Sequence, residues 1–429
     1  MKILKTALFL LVTAPTCAFS QTKDFKPVEN VEIKYFYSSR GSFIPLSEGT
    51  GLEEGFNLYA YESGYWEPSG KFSLNYTLRQ NLNEYFSKGG IYKAYANYKP
   101  GIFSFTFGKT SKTVGPSENS LILSKNAPPF LMLDLDTAEP VKFLGEWKFN
   151  ILNGWLDEKR LDLDDTRIII VRAEYSPARL VNITLTRFSQ YGGEGRPGFK
   201  LWEYPKMLLG SKENQSFDKY DTDGYFGCDL AFDLSGYFKK LDAFKVYFQQ
   251  IATDVSAPWQ KEDEGEISFP FVFKLQANSY QAGLEIKKAS DTFNLELTTI
   301  NDLFYVHHYY NIEGYSYKGY SLGNPYGNHL WELYFSQKHS LEDGDYFKYK
   351  AGFLRQPAVE NTRTNYAEKM NKFYLEGELS KTKGEFVFTP YLRLEYDRNY
   401  DADGRPMHYD IKTANKLFII TGLSTKIRF

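Results

Sequence analysis

Apolar and polar side chains alternate in short stretches along the whole chain, and this pattern limits the possible fold more than any other feature. The clearest stretch ends the sequence, where Leu417, Ile419, Leu423 and the terminal Phe429 all stand at odd positions. A repeat of two residues places neighbouring side chains on opposite faces of a β-strand. No segment after residue 20 has the roughly 18 to 20 consecutive apolar residues of a membrane helix. The chain is therefore predicted to be all-β.

Composition adds that the strands are rich in aromatic residues, although the chain is polar on average. The 34 Tyr, 35 Phe and 6 Trp make up 17% of the 429 residues, while the mean hydropathy is −0.46. This combination is typical of a barrel whose strands show one row to lipid and the other to a lumen, with aromatic belts at both interfaces. The net charge of −2 provides no basic surface for nucleic acid.

The first twenty residues have the parts of a secretory signal peptide. Lys2 and Lys5 precede an apolar run, and small residues stand at Ala18 and Ser20. We predict cleavage after Ser20, which leaves residues 21–429 as a single domain of 429 − 20 = 409 residues. An exported chain that crosses lipid with strands must close them, because every backbone polar group needs a partner. At about 23 residues per strand and connection, we predict a transmembrane antiparallel β-barrel of about 18 strands.

The end of the chain indicates which membrane this is. A last strand that ends on an aromatic residue, here Phe429, resembles the terminal signal by which outer-membrane barrels are recognised for assembly. We therefore expect the protein in the outer membrane of a Gram-negative bacterium, in contact with the outer-membrane lipids. We also expect the barrel assembly machinery to act on it through this strand.

The lengths of the turns predict which segments lie outside, because periplasmic turns of such barrels are short and outer loops are long. Pro100-Gly101 and residues 176–178 are interpreted as periplasmic turns, so an even number of strands must separate them. Only three strands are evident there, and the alternating residues 130–136 are predicted to be the fourth. The other three are residues 102–108, 141–152 and 166–175.

This count places the long segments on the outer side. They are residues 113–129, 157–165 and 189–224, and a further loop that contains Trp259 and the charged run 261–266.

No arrangement of residues indicates an enzyme, a cofactor or a metal centre. His408 and Asp410 share a strand face, but Asp410 is interpreted as a solvated carboxylate near a turn. His307 and His308, as neighbours in a strand, are expected to point to opposite faces. The acidic stretch of residues 157–165 lacks the glycine of a calcium loop, so we interpret it as a solvated loop.

One segment, GPSENSLILSKNAPP at residues 115–129, resembles the capsule assembly protein Wzi family. The positions that carry this resemblance are Gly115, Pro116, Ser120, Leu121, Leu123, Ser124, Asn126, Ala127 and Pro129. A second stretch matches at Arg172, Pro177, Arg187, Gln190, Gly192, Gly193, Gly195, Arg196 and Pro197, and a looser third one covers residues 315–328. The resemblance implies an 18-stranded outer-membrane barrel that acts as a lectin for surface polysaccharide, such as capsule or exopolysaccharide, and performs no catalysis.

Several residues in or beside the predicted outer loops suit the polysaccharide binding that the resemblance implies. Aromatic faces can stack on sugar rings, and planar polar groups can bond to hydroxyl groups. The candidates are Asn126, Trp155, Arg196, Trp202, Tyr204 and Trp259. For each of them a structural role, in an aromatic belt or between loops, stays open.

The lumen can be open or blocked. The family is pictured with a helical plug at the periplasmic end, whereas residues 21–30, which precede the first predicted strand, are too few for a helical bundle. Either the plug is absent, or residues 115–129 fold inward and block the lumen. An open lumen with polar inward residues such as Asn75 and Arg79 favours the alternative function, a diffusion porin for small solutes.

Overall fold

Eighteen strands form one closed antiparallel sheet within the residues that the structure, a computed structural model, describes: 25–81, 88–209, 219–256, 274–356, 370–401 and 413–429. In chain order the strands are β1 Phe25–Ser38, β2 Gly55–Ser69, β3 Phe72–Asn81, β4 Lys88–Tyr98, β5 Phe103–Thr110, β6 Phe130–Thr137, β7 Glu146–Trp155, β8 Arg167–Ala178, β9 Val181–Tyr191, β10 Asp223–Asp233, β11 Ala243–Ser256, β12 Lys274–Lys288, β13 Asp291–Ile300, β14 Leu330–Ser340, β15 Tyr346–Gln356, β16 Met370–Lys383, β17 Phe386–Asp401 and β18 Thr413–Arg428. The predicted barrel of about 18 strands is confirmed. The predicted signal peptide, residues 1–20, lies outside the described residues.

The first and last of these strands close the barrel. β1 pairs with β18 over nine residue pairs, from Asn30 opposite Arg428 to Ser38 opposite Ile420. The last residue extends this seam, since the Phe429 N–H donates to the Glu29 carbonyl at 2.9 Å. A closed sheet has no edge strand and satisfies its backbone polar groups internally.

Long loops lie at one end of the barrel and short turns at the other. Residues 179–180 and 289–290 are turns at the short end, and the largest described loop is residues 301–329 at the long end. The predicted fourth strand, at residues 130–136, is confirmed as β6. It places residues 113–129 at the long end, which is the outer end in barrels of this kind.

One strand prediction was wrong. Residues 141–152 were expected to form a single strand, but Val141–Lys142 is a short separate strand and β7 begins only at Glu146. The chain turns back between the two segments because Leu144 and Gly145 have positive φ values of 49° and 126°. A left-handed backbone conformation ends a strand, and the alternation of side chains alone does not reveal it.

The outward rows of the barrel are apolar and exposed. On β18, Leu417, Ile419 and Leu423 expose 60, 38 and 42% of their surface, whereas Phe418 and Ile420 on the inward row are buried. Leaving such rows in water costs about 25 cal/mol for each Å² of apolar surface, so a lipid environment is required. Among the helices in the described ranges, none combines the length and the apolar character needed to cross a membrane.

Residues 111–129, here called the plug segment, fold into the lumen. The Gln281 side chain, on the inward row of β12, donates to the Asn119 carbonyl at 3.1 Å and lies 3.3 Å from the Ser117 hydroxyl. Deeper in the barrel, Glu118 approaches the Lys348 ammonium of β15 at 3.8 Å. Of the two arrangements that the sequence left open, the structure shows the one in which this segment turns inward.

The family-motif residues give the plug segment its shape. Gly115 has a φ of +140°, and a Cβ there would lie 2.2 Å from the Ser120 Oγ, so glycine is required. The same Ser120 oxygen donates to the Val114 carbonyl and accepts from the Ile122 N–H. These bonds form a tight turn that directs the next residues into the barrel.

A hydrophobic core inside the barrel holds the plug segment in place. Leu121, Ile122 and Leu123 are all fully buried. They pack against apolar residues on the inward rows of the strands, among them Phe130, Met132, Leu152, Ile168, Ile170, Phe188, Ile251 and Leu354. Full burial of one such side chain contributes about 1.5 to 3 kcal/mol.

The buried position of Ile122 leads to a prediction. Ile122→Asp places an unpaired carboxylate in this core, at a cost of several kcal/mol, so the plug segment is expected to leave the lumen. Single-channel conductance in planar bilayers should then rise severalfold above that of the unaltered barrel. The control is Leu161→Asp, because Leu161 is 78% exposed in an outer loop. Equal conductance of Ile122→Asp and the unaltered barrel would contradict the plug.

Candidate functional site

Residues 301–329, here called the lid loop, cover the plug segment at the outer end. The rings of Tyr305 and Tyr315 stack 5.4 Å apart, and Tyr315 lies 5.9 Å from Tyr225 on β10. Tyr225 in turn stacks on Phe188 of β9 at 4.4 Å. All four rings are buried. Aromatic pairs of this kind contribute about 0.5 to 1.5 kcal/mol beyond their buried area, so the lid loop is fixed to the barrel wall.

Hydrogen bonds join the plug segment to the lid loop and to residues 39–54. The Ser124 N–H donates to the Leu322 carbonyl at 2.7 Å, and the Tyr305 hydroxyl donates to the Leu121 carbonyl at 2.6 Å. Asn126 is 1% exposed. Its amide donates to the Ser321 carbonyl at 3.1 Å and accepts from the Leu46 N–H at 3.4 Å. Asn126 therefore holds three loops together.

Arg160 fastens the loop of residues 156–166 to the lid loop. Its guanidinium, with none of the side chain exposed, makes five hydrogen bonds. Two go to the Ser316 and Gly314 carbonyls of the lid loop, at 3.0 and 2.8 Å, and the others go to Glu158 and Asp162. Each of these five hydrogen bonds therefore has a fixed acceptor in one of the two loops.

The expectation of a solvated acidic loop at residues 157–165 was wrong for its central carboxylates. The side chains of Glu158 and Asp162 are 6 and 2% exposed and both contact Arg160. Burial alone raises the pKa of Asp162, but hydrogen bonds from Arg160 and from main-chain N–H groups outweigh it and hold the pKa at about 2. Asp162 is therefore ionised at neutral pH, and its charge is balanced within the loop.

An open cleft of about 680 Å³ lies between this loop and the lid loop. Its wall is mostly polar and includes aromatic groups. The residues with side chains suited to a polar ligand are Glu158, Lys159, Asn311, Glu313, Lys318, Tyr326 and Asn328. Lys159, Asn311 and Lys318 are exposed. The cleft offers amides, carboxylates and ammonium groups on a backbone that buried contacts keep in place.

The candidate residues from the sequence do not meet in one site. Trp155 ends β7 on the same face as Ile151, which is 44% exposed, and so belongs to the outward row. Arg196 stacks its guanidinium 3.9 Å above the Tyr309 ring and donates to the Asp221 carbonyl at 2.6 Å. Trp259 lies outside the described residues.

Trp202 and Tyr204 lie on the outside of the barrel wall. A 3₁₀ turn, Leu201–Glu203, leads into the short helix α1, Tyr204–Leu208. Tyr204 packs on Tyr191 of β9, with ring centroids 5.9 Å apart, whereas Trp202 is 74% exposed. Neither residue lines the cleft.

His307 and His308 were expected on opposite faces of a strand, and this was wrong. Both belong to the lid loop, and both rings turn toward Asp221, to which His308 Nε2 lies within 2.9 Å. The alternation of a strand does not apply to an irregular loop.

The residues that line the cleft were missed by the sequence analysis. Most of them lie within residues 305–328, where tyrosine, glycine and asparagine are dense. That composition was the available signal, because these residues combine aromatic faces, planar amides and a backbone free to turn. It was attributed only to a loose resemblance at residues 315–328.

Comparison with known proteins agrees with this fold. The structure is similar to Wzi of Escherichia coli, with a TM-score of 0.65 and 18% identity over 94% of this chain and 85% of Wzi. That protein is described as an outer membrane protein involved in group 1 capsule assembly and as a carbohydrate-binding β-barrel. The structure is also similar to OpdL of Pseudomonas aeruginosa, with a TM-score of 0.54, 10% identity and coverage of 94 and 99%. The similarity to OprD of the same organism has a TM-score of 0.53 and 8% identity, and it covers 96% of this chain and 97% of OprD. Among curated proteins, none matches by sequence.

At these identities the structural similarity shows the fold, which is a barrel of the outer-membrane type. The protein is located in the outer membrane of a Gram-negative bacterium. The sequence model of one family matches residues 29–374. Because that match spans most of the sequence and includes the plug segment, the cleft and the lid loop, the chain belongs to the capsule assembly protein Wzi family.

Proposed function

We propose that this protein binds surface polysaccharide at its outer end and holds it there without chemical change. The observation that carries this proposal is the open polar cleft between two loops that buried bonds hold rigid. A preformed site loses little conformational entropy on binding. The carbohydrate binding described for the Escherichia coli barrel supports the same conclusion.

The groups around the cleft suit a carbohydrate. Asn311 and Asn328 supply planar amides, and Glu313 supplies a carboxylate, for the hydroxyl groups of a sugar. Tyr326 adds an aromatic group at the wall. These groups bind and orient, and the proposal assigns no reacting atom to any of them. Incubating the barrel with purified polysaccharide should therefore leave the length of the glycan chains unchanged.

A diffusion porin is the alternative function. The likeness to OprD and OpdL, with TM-scores of 0.53 and 0.54, extends to the barrel, but the plug segment and the lid loop occupy its outer mouth. A barrel filled in this way favours binding over diffusion. Steady large openings of the unaltered protein in planar bilayers would favour the porin.

Two further partners belong to the proposal. The exposed apolar rows, such as Leu417 and Leu423 of β18, suit outer-membrane lipids. The last strand, β18, and the Phe429 that follows it suit recognition by the barrel assembly machinery. Deletion of Phe429 is the corresponding variant for a test of assembly.

Removal of two exposed groups from the cleft tests its role. Asn311→Ala combined with Lys318→Ala should weaken binding of the host cell's purified surface polysaccharide about tenfold, since each lost hydrogen bond contributes ~0.5 to 1.5 kcal/mol. Isothermal titration with the refolded barrel measures this change. The matched control is Lys240→Ala, because Lys240 is exposed at the short-turn end. Unchanged affinity would contradict the cleft, and unchanged glycan retention by cells that lack the protein would contradict the function itself.

Arg160 provides a second test, through the frame of the cleft. Arg160→Met leaves the buried carboxylates of Glu158 and Asp162 without their cation, which costs about 3 to 5 kcal/mol. The loop of residues 156–166 should become sensitive to limited proteolysis, and polysaccharide binding should fall, while the barrel keeps its β-sheet circular dichroism. Arg179→Met, in an exposed turn at the opposite end, is the control. A variant with unaltered proteolysis would show that Arg160 does not hold the loop.

A further inference from the structure

Three side chains with metal-ligating atoms meet beside the cleft, where two outer loops touch. Asp221 ends the long loop before β10, and His307 and His308 belong to the lid loop. One ligand atom of each lies within 4.8 Å of those of the other two. The side chains of Asp221 and His307 are 0 and 4% exposed, whereas His308 is 46% exposed. The cluster is thus buried on one side and open to solvent on the other.

The buried part of this cluster has unsatisfied polar atoms. Among the described residues, neither Asp221 Oδ1 nor His307 Nε2 has a hydrogen-bond partner. The two atoms lie 3.3 Å apart, which is within ion-pair distance, but they do not form a hydrogen bond with each other. Buried polar atoms are rarely left unpaired, so two that face each other across a short gap call for a shared partner. A cation between them would satisfy both.

The distances suit a tetrahedral ion. With metal–ligand bonds of about 2.0 to 2.1 Å, neighbouring ligand atoms of a tetrahedral zinc site lie roughly 3.3 to 3.4 Å apart. Asp221 Oδ1 and His307 Nε2 are 3.3 Å apart, and Asp221 Oδ2 lies 2.9 Å from His308 Nε2. His308 Nε2 contacts the second carboxylate oxygen, so the exposed His308 ring has to turn to bring its nitrogen, which lies within 4.8 Å of the other two ligand atoms, to the same centre. The open side next to His308 leaves the fourth position for water.

We propose that Asp221, His307 and His308 bind one Zn²⁺ ion that ties the long loop before β10 to the lid loop. Two imidazoles and one carboxylate are typical zinc ligands. Ca²⁺ and Mg²⁺ take six or more oxygen ligands, which this cluster does not supply, so hard cations are not expected to bind. Because Val306 lines the cleft next to His307, the ion fixes the rim of the cleft.

Two neighbouring contacts must be compatible with the ion. The Tyr309 N–H lies 3.3 Å from His307 Nδ1, which accepts from it in the metal-free state. When zinc takes Nε2, Nδ1 of the neutral ring carries the hydrogen and faces the Tyr309 N–H, so this weak bond is lost on binding. The Arg196 guanidinium stacks 3.9 Å from the Tyr309 ring and donates to the main-chain carbonyl of Asp221, which is not one of the proposed ligand atoms.

Zinc binding to the full refolded barrel tests this proposal. After removal of metals with a chelator, isothermal titration with Zn²⁺ should show one ion per chain. Asp221→Asn, His307→Gln and His308→Gln should each weaken binding by at least about tenfold, since even loss of an outer partner of a metal ligand costs 10- to 100-fold. The matched control is His339→Gln, because His339 pairs with Asp291 at the opposite end of the barrel. Its affinity should equal that of the unaltered protein.

A second measurement separates loss of the site from loss of the fold. Co²⁺ bound to the unaltered barrel should give the strong visible absorption of a tetrahedral site, and an excess of Ca²⁺ should not remove it. His308→Gln replaces an exposed residue, so its barrel is expected to fold, as heat-dependent electrophoretic migration would show. The proposal is overturned if the unaltered barrel binds no zinc, or if His308→Gln and His339→Gln bind it equally well. It is also overturned if the cobalt spectrum is octahedral.

Discussion

The need to pair every backbone polar group within lipid determines the rest of this structure. It requires a closed sheet, and the nine residue pairs between β1 and β18 complete it. A barrel of 18 strands is too wide for its own inward side chains to fill. Such a barrel keeps an aqueous channel unless another segment fills it, and here the loop between β5 and β6 enters the interior. The strands thus close the barrel wall, and the plug segment fills part of its lumen.

The interior of the barrel is apolar around the plug segment and charged elsewhere, and side chains from both regions contact the lid loop. Leu121 to Leu123 meet the aromatic cluster of Tyr305 and Tyr315. On β17, the Arg393 side chain is 1% exposed and bonds to Glu376, Glu395 and, at 2.8 Å, the Tyr326 hydroxyl of the lid loop. A buried guanidinium without such partners would be strongly destabilising. The lid loop is therefore packed into the barrel interior, and these buried contacts also hold the wall of the cleft in place.

The sequence predicted the barrel well because its pattern is local. The alternation of residues 130–136 was sufficient to identify β6, and turn lengths then placed residues 113–129 at the outer end. Contacts between loops are not local. Asn126 bonds to the carbonyl of Ser321, 195 positions later, and no periodic pattern reports such a pair. For the same reason, the convergence of His307 and His308 on Asp221 could not be predicted.

Resemblance to a family located the important segment but not the role of its residues. Within the motif from Gly115 to Pro129, Asn126 was a candidate for polysaccharide binding with a structural role left open, and in the structure the motif residues form the turn and the bonds that keep the segment in the lumen. Trp202 was a reasonable candidate by type, yet it stands on the outer wall. Residue type indicates which chemistry is available, and only the three-dimensional arrangement shows which side chains share a surface.

The plug segment lies beneath the lid loop, so the position of the lid loop depends on the plug segment. The Tyr305 hydroxyl bonds to the Leu121 carbonyl, a contact that exists only while residues 111–129 are inside the barrel. These partners are 184 positions apart, and contacts of such long range form slowly. The cleft that the lid loop borders is therefore complete only when the plug segment is in place. Binding at the cleft, as proposed above, would therefore report a barrel whose interior is correctly filled.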